Sequence, residues 1–567
     1  MSSLLELVER VNHGEAIDAD LLEVYQQSPN SAERFLAHHA RALLDLRRAH
    51  QHLEQSLEAI DYSDQKVLNE FVSVSTFLNQ TDTRAGAVVR FAASSLRRGE
   101  RTLAMEAIQN ALSADAQTGG TFLADRSNAL MIAEQYARVA DALAWHRPHR
   151  PFGAGESAAS APPIRLAYVT SAVADDEPAG RALRAWARHH DAARCGLSVY
   201  STESAVRRDA RRFPQSTYAP SSARRGARTL DLLTRRNVPV WLSPLDRDAA
   251  DSATALADQL ALDRIDVAIF DASPADPIAA TVANWSVAPV KLGLCRRFPL
   301  YADGLAAVLY THPAPYEADA EFWRRRAIES RFILEGVDFS ENPGPPPQRS
   351  AYGIPEHAVV LATAAADLES ALTEAFVEAV IAILRQNPQA VYLLVGPGEL
   401  AWQKRKFESA GLAKRIGYAG PRRDLPGFLR LADLYLPPFS AAADADTRRS
   451  AFEATLQAMA VERCVLAYRT QWGEELEDSP SAHLAGPEAT VTSPEPAAFV
   501  QRASQLVREP AERQRIARVL RQRAKQEFSF ERTVRQIEAL CSELLRGERP
   551  GETPVSEPME MPLEQAA

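Results

Sequence analysis

In the N-terminal part of the chain, apolar residues recur three and four positions apart, which is the spacing of an amphipathic helix. Phe35, Leu36 and Leu43 illustrate the pattern, and no run of β-branched residues interrupts it. Small residues between positions 96 and 112 fall where paired helices approach closely, as in tetratricopeptide units. The pattern predicts an all-helical domain over residues 1–145. An irregular helical bundle and a tetratricopeptide-like array both fit it.

Residues 146–163 change the picture, because the segment HRPHRPFGAGESAASAPP cannot propagate a helix or a strand. It predicts a linker between domains. His146 and His149 lie in it, but a pair of histidines in a Pro-rich segment is more typical of solvated side chains than of a metal site. We therefore expect no metal ion in the protein.

After the linker the apolar residues form short runs separated by amphipathic stretches. The first series of predicted strands comprises 164–170, 196–201, 238–242, 266–271, 290–294 and 306–311. A Pro-rich break leads into a second series, namely 359–364, 390–396, 415–419, 434–436 and 464–468. Because strands that alternate with helices form parallel sheets, the sequence predicts an α/β protein with two Rossmann-like layers in succession.

These patterns divide the chain into predicted domains. We assign residues 164–345 to an N-terminal Rossmann-like domain and residues 350–545 to a C-terminal one, which helical patterns from 496 onward complete. Residues 546–567 are rich in Pro and Glu and are expected to form a disordered tail. A chain of 567 residues is too long for one compact core, in agreement with several domains.

Charge and composition exclude several classes of protein. The net charge is −10, and phosphate contacts need a local excess of cations, so nucleic acid is not expected as a partner. The four cysteines lie too far apart along the chain for a zinc knuckle or a small disulfide-rich domain. No apolar run is long enough to span a membrane and no hydrophobic signal segment begins the chain, so we expect a cytoplasmic protein.

Ligands of open parallel sheets collect at the carboxyl ends of the strands, so the loops there are the first places to look for chemistry. Gly396 and Gly398 lie at the end of a predicted strand, where missing side chains would let backbone amides approach a phosphate. A Gly-Pro-Gly sequence also serves as a plain turn. His312 follows another predicted strand and is a candidate catalytic residue, with a structural histidine as the alternative.

Several blocks of sequence resemble a known family. The run IRLAYVTS at 164–171, followed by HHD at 189–191, is similar to the opening of the transferase region in O-GlcNAc transferases and their bacterial SPINDLY-like homologues. The similarity continues with DVAIFD at 266–271 and LADLYL at 431–436, and it extends over roughly residues 160–545. The order and spacing of these blocks carry the resemblance.

The resemblance implies a GT-B fold, in which two Rossmann-like domains face each other across a cleft that holds a nucleotide sugar. It implies a UDP-linked donor. It implies that the preceding helical domain binds and presents a protein or peptide acceptor. It also implies a metal-independent reaction, in which cationic side chains and helix N-termini stabilise the leaving diphosphate. The nucleotide sugar is then a donor substrate, and no cofactor is expected.

The active-site motifs of the family are degenerate in this chain. The family has a histidine in the loop after the first strand and another after the strand at 266–271, but residues 172–181 and 272–276 contain none. The family also has a diphosphate-binding lysine early in the second domain, where this chain offers Asp367 and Glu369. Two carboxylates at that position would repel a diphosphate.

The donor-binding motif of the family falls within residues 444–457, where this chain has Glu453, Thr455 and Gln457. Gln457 can bond a ribose hydroxyl through its amide. Arg448 and Arg449 can replace the missing lysine, because a guanidinium grips phosphate with two bonds. The alternative interpretation is that both arginines lie at the solvated start of a helix.

A second short motif extends the predicted donor site. Gly473 and Glu474 resemble the Gly-Glu turn that lies near the diphosphate in the family. With the residues named above, they complete the predicted donor-binding set.

Acidic residues are the remaining candidates for a catalytic base. They are Asp175, Asp176 and Glu177 in the loop after the first strand, and Asp271 and Asp276 around the end of the fourth. Glu177 lies nearest the position of the missing histidine, and a base must come within hydrogen-bonding reach of the acceptor. A solvated acidic loop is the alternative.

Two functions therefore remain open at the level of sequence. The first is a glycosyltransferase that moves a sugar from a nucleotide sugar to a protein hydroxyl. The second is a degenerate GT-B pseudoenzyme that presents an acceptor as the protein-binding subunit of an active partner glycosyltransferase. Architecture favours the first, whereas the joint loss of two histidines and a lysine favours the second.

Overall fold

The structure is a computed structural model. It describes residue 4 and residues 20–44, 81–117, 126–144, 163–175, 177–204, 206, 225–296, 298–302, 304–341, 344–422, 424–439, 445–472, 475–476 and 479–547. The predicted linker at 146–163 lies outside the described residues except for its last position. The predicted tail lies outside them beyond Gly547.

The described N-terminal residues are helical. The helices are α1 (Asp20–Gln26), α2 (Ser31–Leu44), α3 (Thr81–Arg97), α4 (Arg101–Gln117) and α5 (Arg126–Ala144). Apolar side chains of α3 to α5, such as Val88, Ile108 and Tyr136, are buried together, as the helical spacing predicts. A tetratricopeptide-like arrangement of these helices stays a prediction.

The first α/β half contains seven strands. Its elements are β1 (Ile164–Thr170), α6 (Pro178–His189), β2 (Cys195–Ser201), α7 (Ala227–Arg235), β3 (Val240–Leu242), α8 (Ala249–Leu262), β4 (Val267–Asp271), α9 (Pro277–Ala283), β5 (Val290–Cys295), β6 (Ala307–Tyr310), α10 (Pro313–Arg325) and β7 (Glu329–Phe332). The strands are parallel and lie in the order β3-β2-β1-β4-β5-β6-β7. This is the doubly wound order of a Rossmann fold, extended by one strand.

The second α/β half repeats the same scheme. Its elements are β8 (Val359–Ala364), α11 (Leu368–Ala371), α12 (Glu374–Gln386), β9 (Ala390–Val395), α13 (Ala401–Ser409), β10 (Ile416–Gly420), α14 (Leu425–Leu429), β11 (Leu434–Tyr435), α15 (Ala445–Ala460), β12 (Cys464–Val465), β13 (Ala467–Trp472), β14 (Glu475–Leu476), α16 (Pro480–Ala485), β15 (Thr490–Ser493), α17 (Ala497–Arg508), α18 (Pro510–Glu527) and α19 (Phe530–Leu545). Five of its strands form a parallel sheet in the order β10-β9-β8-β11-β12, and β14-β13-β15 form a smaller sheet. Short 3-10 turns occur at Arg349–Tyr352, Ala413–Arg415 and Pro487–Ala489.

The helical part shares its core with the first α/β half. Tyr136 in α5 donates a hydrogen bond to the carbonyl of Pro274 at 3.0 Å, and the Trp285 indole donates to the carbonyl of Ala140 at 2.8 Å. Buried residues of α4 and α5 also pack with those of α8 and α9. The helices are therefore docked on this half through both apolar and polar contacts.

The chain crosses between the two α/β halves twice, and the crossings are bonded to each other. Val337 donates to the carbonyl of Phe528 at 2.8 Å and accepts from the Phe530 amide at 3.0 Å. Helix α19 then packs in the core of the first sheet through Val534, Ile537 and Leu540, next to α6. Its place in the sequence predicts that α19 belongs to the second domain, whereas its apolar face is buried against the first half.

We predict that alanine at Gly396 destabilises the protein more than alanine at Gly411. Both glycines have a positive φ, 147° and 74°, that other residues rarely adopt. A Cβ at Gly396 would lie 2.1 Å from the Ala365 carbonyl oxygen, whereas none of the described atoms lies within 4 Å of one at Gly411. Urea unfolding should show a loss of about 1 kcal/mol for G411A and roughly 2–4 kcal/mol for G396A. Equal losses would contradict this packing of the turn.

Candidate active site at the interdomain cleft

A cavity of about 730 Å³ lies between the two α/β halves. The first half lines it with the loop after β1, the start of α6 and the loops after β6 and β7. The second half lines it with one face of α15 and with residues around α14. The loops of the first half that line the cavity follow the carboxyl ends of parallel strands. This position agrees with the rule that ligands of doubly wound sheets lie beyond those ends.

One face of α15 brings three of the predicted donor-binding residues together. Arg449, Glu453 and Gln457 are spaced four apart and all line the cavity. The Arg449 guanidinium donates to a Glu453 carboxylate oxygen at 3.1 Å. The carbonyl oxygen of the Gln457 side chain is buried and accepts no hydrogen bond from the described residues. It is therefore available to a ligand that carries a donor.

Thr455, in contrast, lies on the other side of α15. It is fully buried, donates to the Ala451 carbonyl at 2.7 Å and lies 3.1 Å from the Ser481 hydroxyl. Its hydroxyl is used within the second half and does not line the cavity. The predicted role of Thr455 in donor binding therefore has no geometric support.

Three members of the predicted donor-binding set lie wholly or partly outside the described residues. The backbone of Arg448 is in α15, but its side chain lies outside the described part of the structure, as do Gly473 and Glu474. Asp176, a candidate base, is also outside the described residues.

The Gly-Pro-Gly turn does not line the cavity. Gly396 donates to the Gly420 carbonyl at 3.0 Å, and Leu368 donates to the Pro397 carbonyl at 3.0 Å. The turn therefore packs on α11 and on the end of β10. Gly398 is exposed next to it. The missing side chains serve this close approach of backbone to backbone.

The acidic loop after β8 is also tied to its own half. Asp367 caps α11, accepting from the Glu369 amide at 2.9 Å and from the Ser370 hydroxyl at 2.7 Å. The Ala366 amide donates to the Ser450 hydroxyl at 3.2 Å. The negative charge where the family has a lysine is thus built into the local fold, beside the start of α15.

In the loop after β1, Asp175 is held by the start of α7. It accepts from the Thr229 amide at 2.9 Å, from the Thr229 hydroxyl at 2.7 Å and from the Arg228 amide at 3.1 Å. Burial alone raises the pKa of Asp175, but these bonds outweigh it, so that its pKa is lowered from the ordinary value. Glu177 lies at the N-terminus of α6 and is exposed. A firmly bonded, weakly basic Asp175 is a poor proton acceptor.

Two other candidates have structural surroundings. Asp276 is buried and caps α9, accepting from two backbone amides and from the hydroxyls of Thr202 and Ser204 at 2.6 and 2.7 Å. His312 is 2% exposed, lines the cavity and packs edge to face on Phe452 with ring centroids 5.2 Å apart. The His312 ring therefore joins the first half to α15.

A buried polar cluster at the carboxyl ends of the first half's strands contains Glu335, which the sequence did not predict as a site residue. Glu335 follows β7, lines the cavity and forms an ion pair with Arg296. The Arg296 guanidinium also bonds Asp271 at 3.0 and 3.1 Å. Asp271 accepts a further hydrogen bond from the hydroxyl of Tyr168. Recognising β7 in the sequence could have found Glu335, because Glu335 lies just after the carboxyl end of that strand.

The loop after Glu335 is clamped by α6. The Asp338 carboxylate accepts from the His189 ring at 3.0 Å, from the Ser340 amide at 2.9 Å and from Arg188. Arg184 bonds Glu341 at 2.9 Å. These contacts fix one wall of the cleft to the first half.

The charge of the cavity is balanced and its cations are arginines. Arginine and carboxylate side chains line it in equal number, and no lysine is among the described lining residues. Most of these arginines bond carboxylates or backbone carbonyls, as Arg184 and Arg449 do. Such planar cations suit phosphate, provided that a ligand can compete for them.

Among the described helices, none combines the length and the apolar composition that a bilayer crossing needs. The part of the chain that the structure describes contains no group of three or more side chains able to hold a metal ion.

One family model matches part of the chain, and several solved structures are similar to it. Residues 358–509 match the family model described as Glycosyl transferases group 1. No curated protein matches the chain. A mutant O-GlcNAc transferase from Thermobaculum terrenum is similar in structure, at 15% identity over 97% of this chain and 98% of that one, with a TM-score of 0.48.

Two other solved structures are similar over about two thirds of this chain. Alr3699/HepE from Anabaena, in complex with UDP and glucose, is 14% identical over 67% of this chain and 99% of its own, with a TM-score of 0.46. Sucrose-phosphate synthase from Thermosynechococcus elongatus is 14% identical over 68% and 100%, with a TM-score of 0.45.

The class of the protein follows from the family match and the sheets together. Residues 358–509, in the second half, match the family model of group 1 glycosyl transferases. Two doubly wound parallel sheets face each other across a cleft, with helices before them. The GT-B architecture that the sequence predicted is confirmed.

We predict that the Asp338 clamp contributes stability that depends on pH. Burial alone raises the pKa of Asp338, but the bonds from His189, Ser340 and Arg188 lower it to about 2. A lowered pKa means that the stabilisation is present above the ordinary aspartate value and is lost as the pH falls toward 2. Asp338→Asn should cost about 2 kcal/mol at neutral pH and flatten stability between pH 4 and 2.

Thermal unfolding from pH 2 to pH 7 measures this. The matched control is Asp231→Asn, which removes an exposed pair with Arg235 at 2.8 Å and should change stability by less than about 0.5 kcal/mol. If D338N and D231N behaved alike, the clamp would not hold the cleft wall.

Proposed function

We propose that the protein is a glycosyltransferase that moves a sugar from a nucleotide sugar, UDP-linked, to a hydroxyl of a protein acceptor. The observation that supports it most is the cavity between two doubly wound halves, one of which matches the family model of group 1 glycosyl transferases. The predicted domain boundaries at 164–345 and 350–545 are part of this proposal, with α19 returning to the first half.

The donor is proposed to lie against α15. Gln457 offers an unpartnered acceptor to a ribose hydroxyl, and Arg449 offers a guanidinium to the diphosphate. Arg449 would exchange its bond to Glu453 for the phosphate, whose higher charge favours the exchange. Arg448, Gly473 and Glu474 remain proposed members of the site.

The acceptor is proposed to approach from the first half. Glu177 at the exposed start of α6 and His312 at the wall of the cavity are candidates to contact it, together with Asp176. The helical part, which is docked on this half, is proposed to hold the acceptor polypeptide. No cofactor and no metal enter the proposal, and the cytoplasmic location stays a prediction from the sequence.

A second candidate function has its own supporting observation. Asp367 caps α11 in the loop where the family has a diphosphate-binding lysine, and Thr455 is bonded within the core. A chain with such a site fits a pseudoenzyme that presents an acceptor to an active partner glycosyltransferase. This alternative predicts a complex of the full-length chain with that partner, stable without nucleotide, as measured by size-exclusion chromatography of the co-expressed pair.

We predict that the full-length protein binds UDP and that Arg449→Ala weakens the binding about ten- to hundredfold, as loss of a charge-assisted bond does. Isothermal titration calorimetry measures it. The matched control is Arg518→Ala, which removes an arginine of α18 that does not line the cavity and should leave the affinity unchanged. Equal UDP affinity of R449A and the wild type would show that Arg449 is not part of the donor site. If the wild type bound no UDP, the alternative function would be favoured.

A further inference from the structure

Glu335 is one of the carboxylates with which the first half lines the cleft. It lies in the loop after β7, lines the cavity, and its side chain is 22% exposed. Arg449 and Glu453 of α15 line the same cavity from the other half. An acceptor that enters between the halves therefore meets Glu335 opposite the proposed donor face.

Arg296 holds Glu335 in place and is itself bonded to a pair of residues, Asp271 and Tyr168. Arg296 follows β5 and bonds both Glu335 and Asp271. Asp271 ends β4, and Tyr168 in the adjacent strand β1 donates to it. The cluster thus lies where the strand order reverses between β1 and β4, which is the usual ligand position of such a sheet.

The surroundings of Glu335 make it a better proton acceptor than an ordinary glutamate. Burial raises its pKa most, Arg296 opposes this, and the carboxylates of Asp271 and Glu453 raise the pKa further, while Arg181 of α6 lowers it. The net effect is a raised pKa. A base whose pKa lies closer to neutral accepts a proton more readily in the transition state.

We propose that Glu335 is the general base of the transfer reaction, held by Arg296 and Asp271 as positioning residues; the proposal rests on the proposed function. The acceptor hydroxyl oxygen forms a bond to the anomeric carbon of the donor sugar. The bond from that carbon to the diphosphate breaks, and its electron pair leaves with the nucleotide diphosphate. The hydroxyl proton passes to the Glu335 carboxylate and then to solvent.

The other carboxylates near the cleft are less suited to this step. Asp175 is bonded three times at the start of α7 and has a lowered pKa. Asp276 is buried at 1% exposure and does not line the cavity. Glu335 combines access to the cavity with a charged partner behind it, which is the arrangement of a positioned base.

The test measures UDP release from UDP-N-acetylglucosamine, UDP-N-acetylgalactosamine, UDP-glucose and UDP-galactose by the full-length protein, with water as the acceptor. Affinity for UDP is measured in parallel by calorimetry. Glu335→Gln should reduce UDP release about 100- to 10,000-fold, because a general base contributes that much, and should leave UDP affinity unchanged. Glu408→Gln, an exposed glutamate of α13 outside the cavity, is the matched control and should behave as wild type.

The pH profile separates a base from a merely structural residue. In the wild type, the rate of UDP release should rise with pH as Glu335 loses its proton, at a pH above the ordinary glutamate range. E335Q should lose this rising limb of the pH profile. Asp271→Asn removes a negative charge near Glu335 and should move the limb to lower pH. Glu335→Ala, with formate added as a small carboxylate, should regain part of the rate even if E335Q folds poorly.

Each outcome decides the assignment. Wild-type rates and an unchanged limb in folded E335Q would overturn it, as would the absence of formate rescue in folded E335A. A wild type that binds UDP but releases none from any of the four donors would overturn Glu335 as a base while nucleotide binding stands. A wild type that neither binds UDP nor releases it would overturn the proposed function itself.

Discussion

The cleft depends on the paired crossings between the two α/β halves. The segment after β7 leaves the first half and the segment before α19 returns to it, and Val337 bonds both Phe528 and Phe530 at that point. Thr533 adds a bond to the Leu334 carbonyl at 2.7 Å and accepts one from Gly336. Because α19 is buried in the first half, the second half is held at both of its ends, and the cavity lies beside this double connection.

The same segment joins structure to chemistry. Glu335 begins it and faces the cavity, and a few residues later Asp338 is clamped by α6. The position of the proposed base is therefore set by the fold of the crossing, and its charge is balanced by Arg296 from behind. On the opposite wall, Arg449 and Gln457 come from one helix face. The proposed base and the proposed diphosphate site thus line the cavity from opposite halves, one on a loop that α6 clamps and the other on a helix.

The sequence predicted the fold better than the site. Each predicted strand overlaps an observed one, because short apolar runs are easily recognised, although the predicted strand 464–468 spans β12 and the start of β13. Strands β7, β14 and β15 were not predicted, and β7, with the polar sequence ESRF, gave no apolar signal. Missing β7 also hid Glu335, which follows it. Thr455 was predicted as a ligand although its helical spacing from Arg449 and Glu453 places it on another face of α15. The ion pair between Glu335 and Arg296 joins residues far apart in sequence, so no local pattern could reveal it.

Hydrogen-deuterium exchange of the full-length protein with and without saturating UDP tests whether a nucleotide binds between the two halves. Exchange should be slower with UDP in two regions that both line the cavity, α15 of the second half and the loop 335–341 of the first. Protection confined to other surfaces, or no protection at a UDP concentration that calorimetry shows to be saturating, would contradict it.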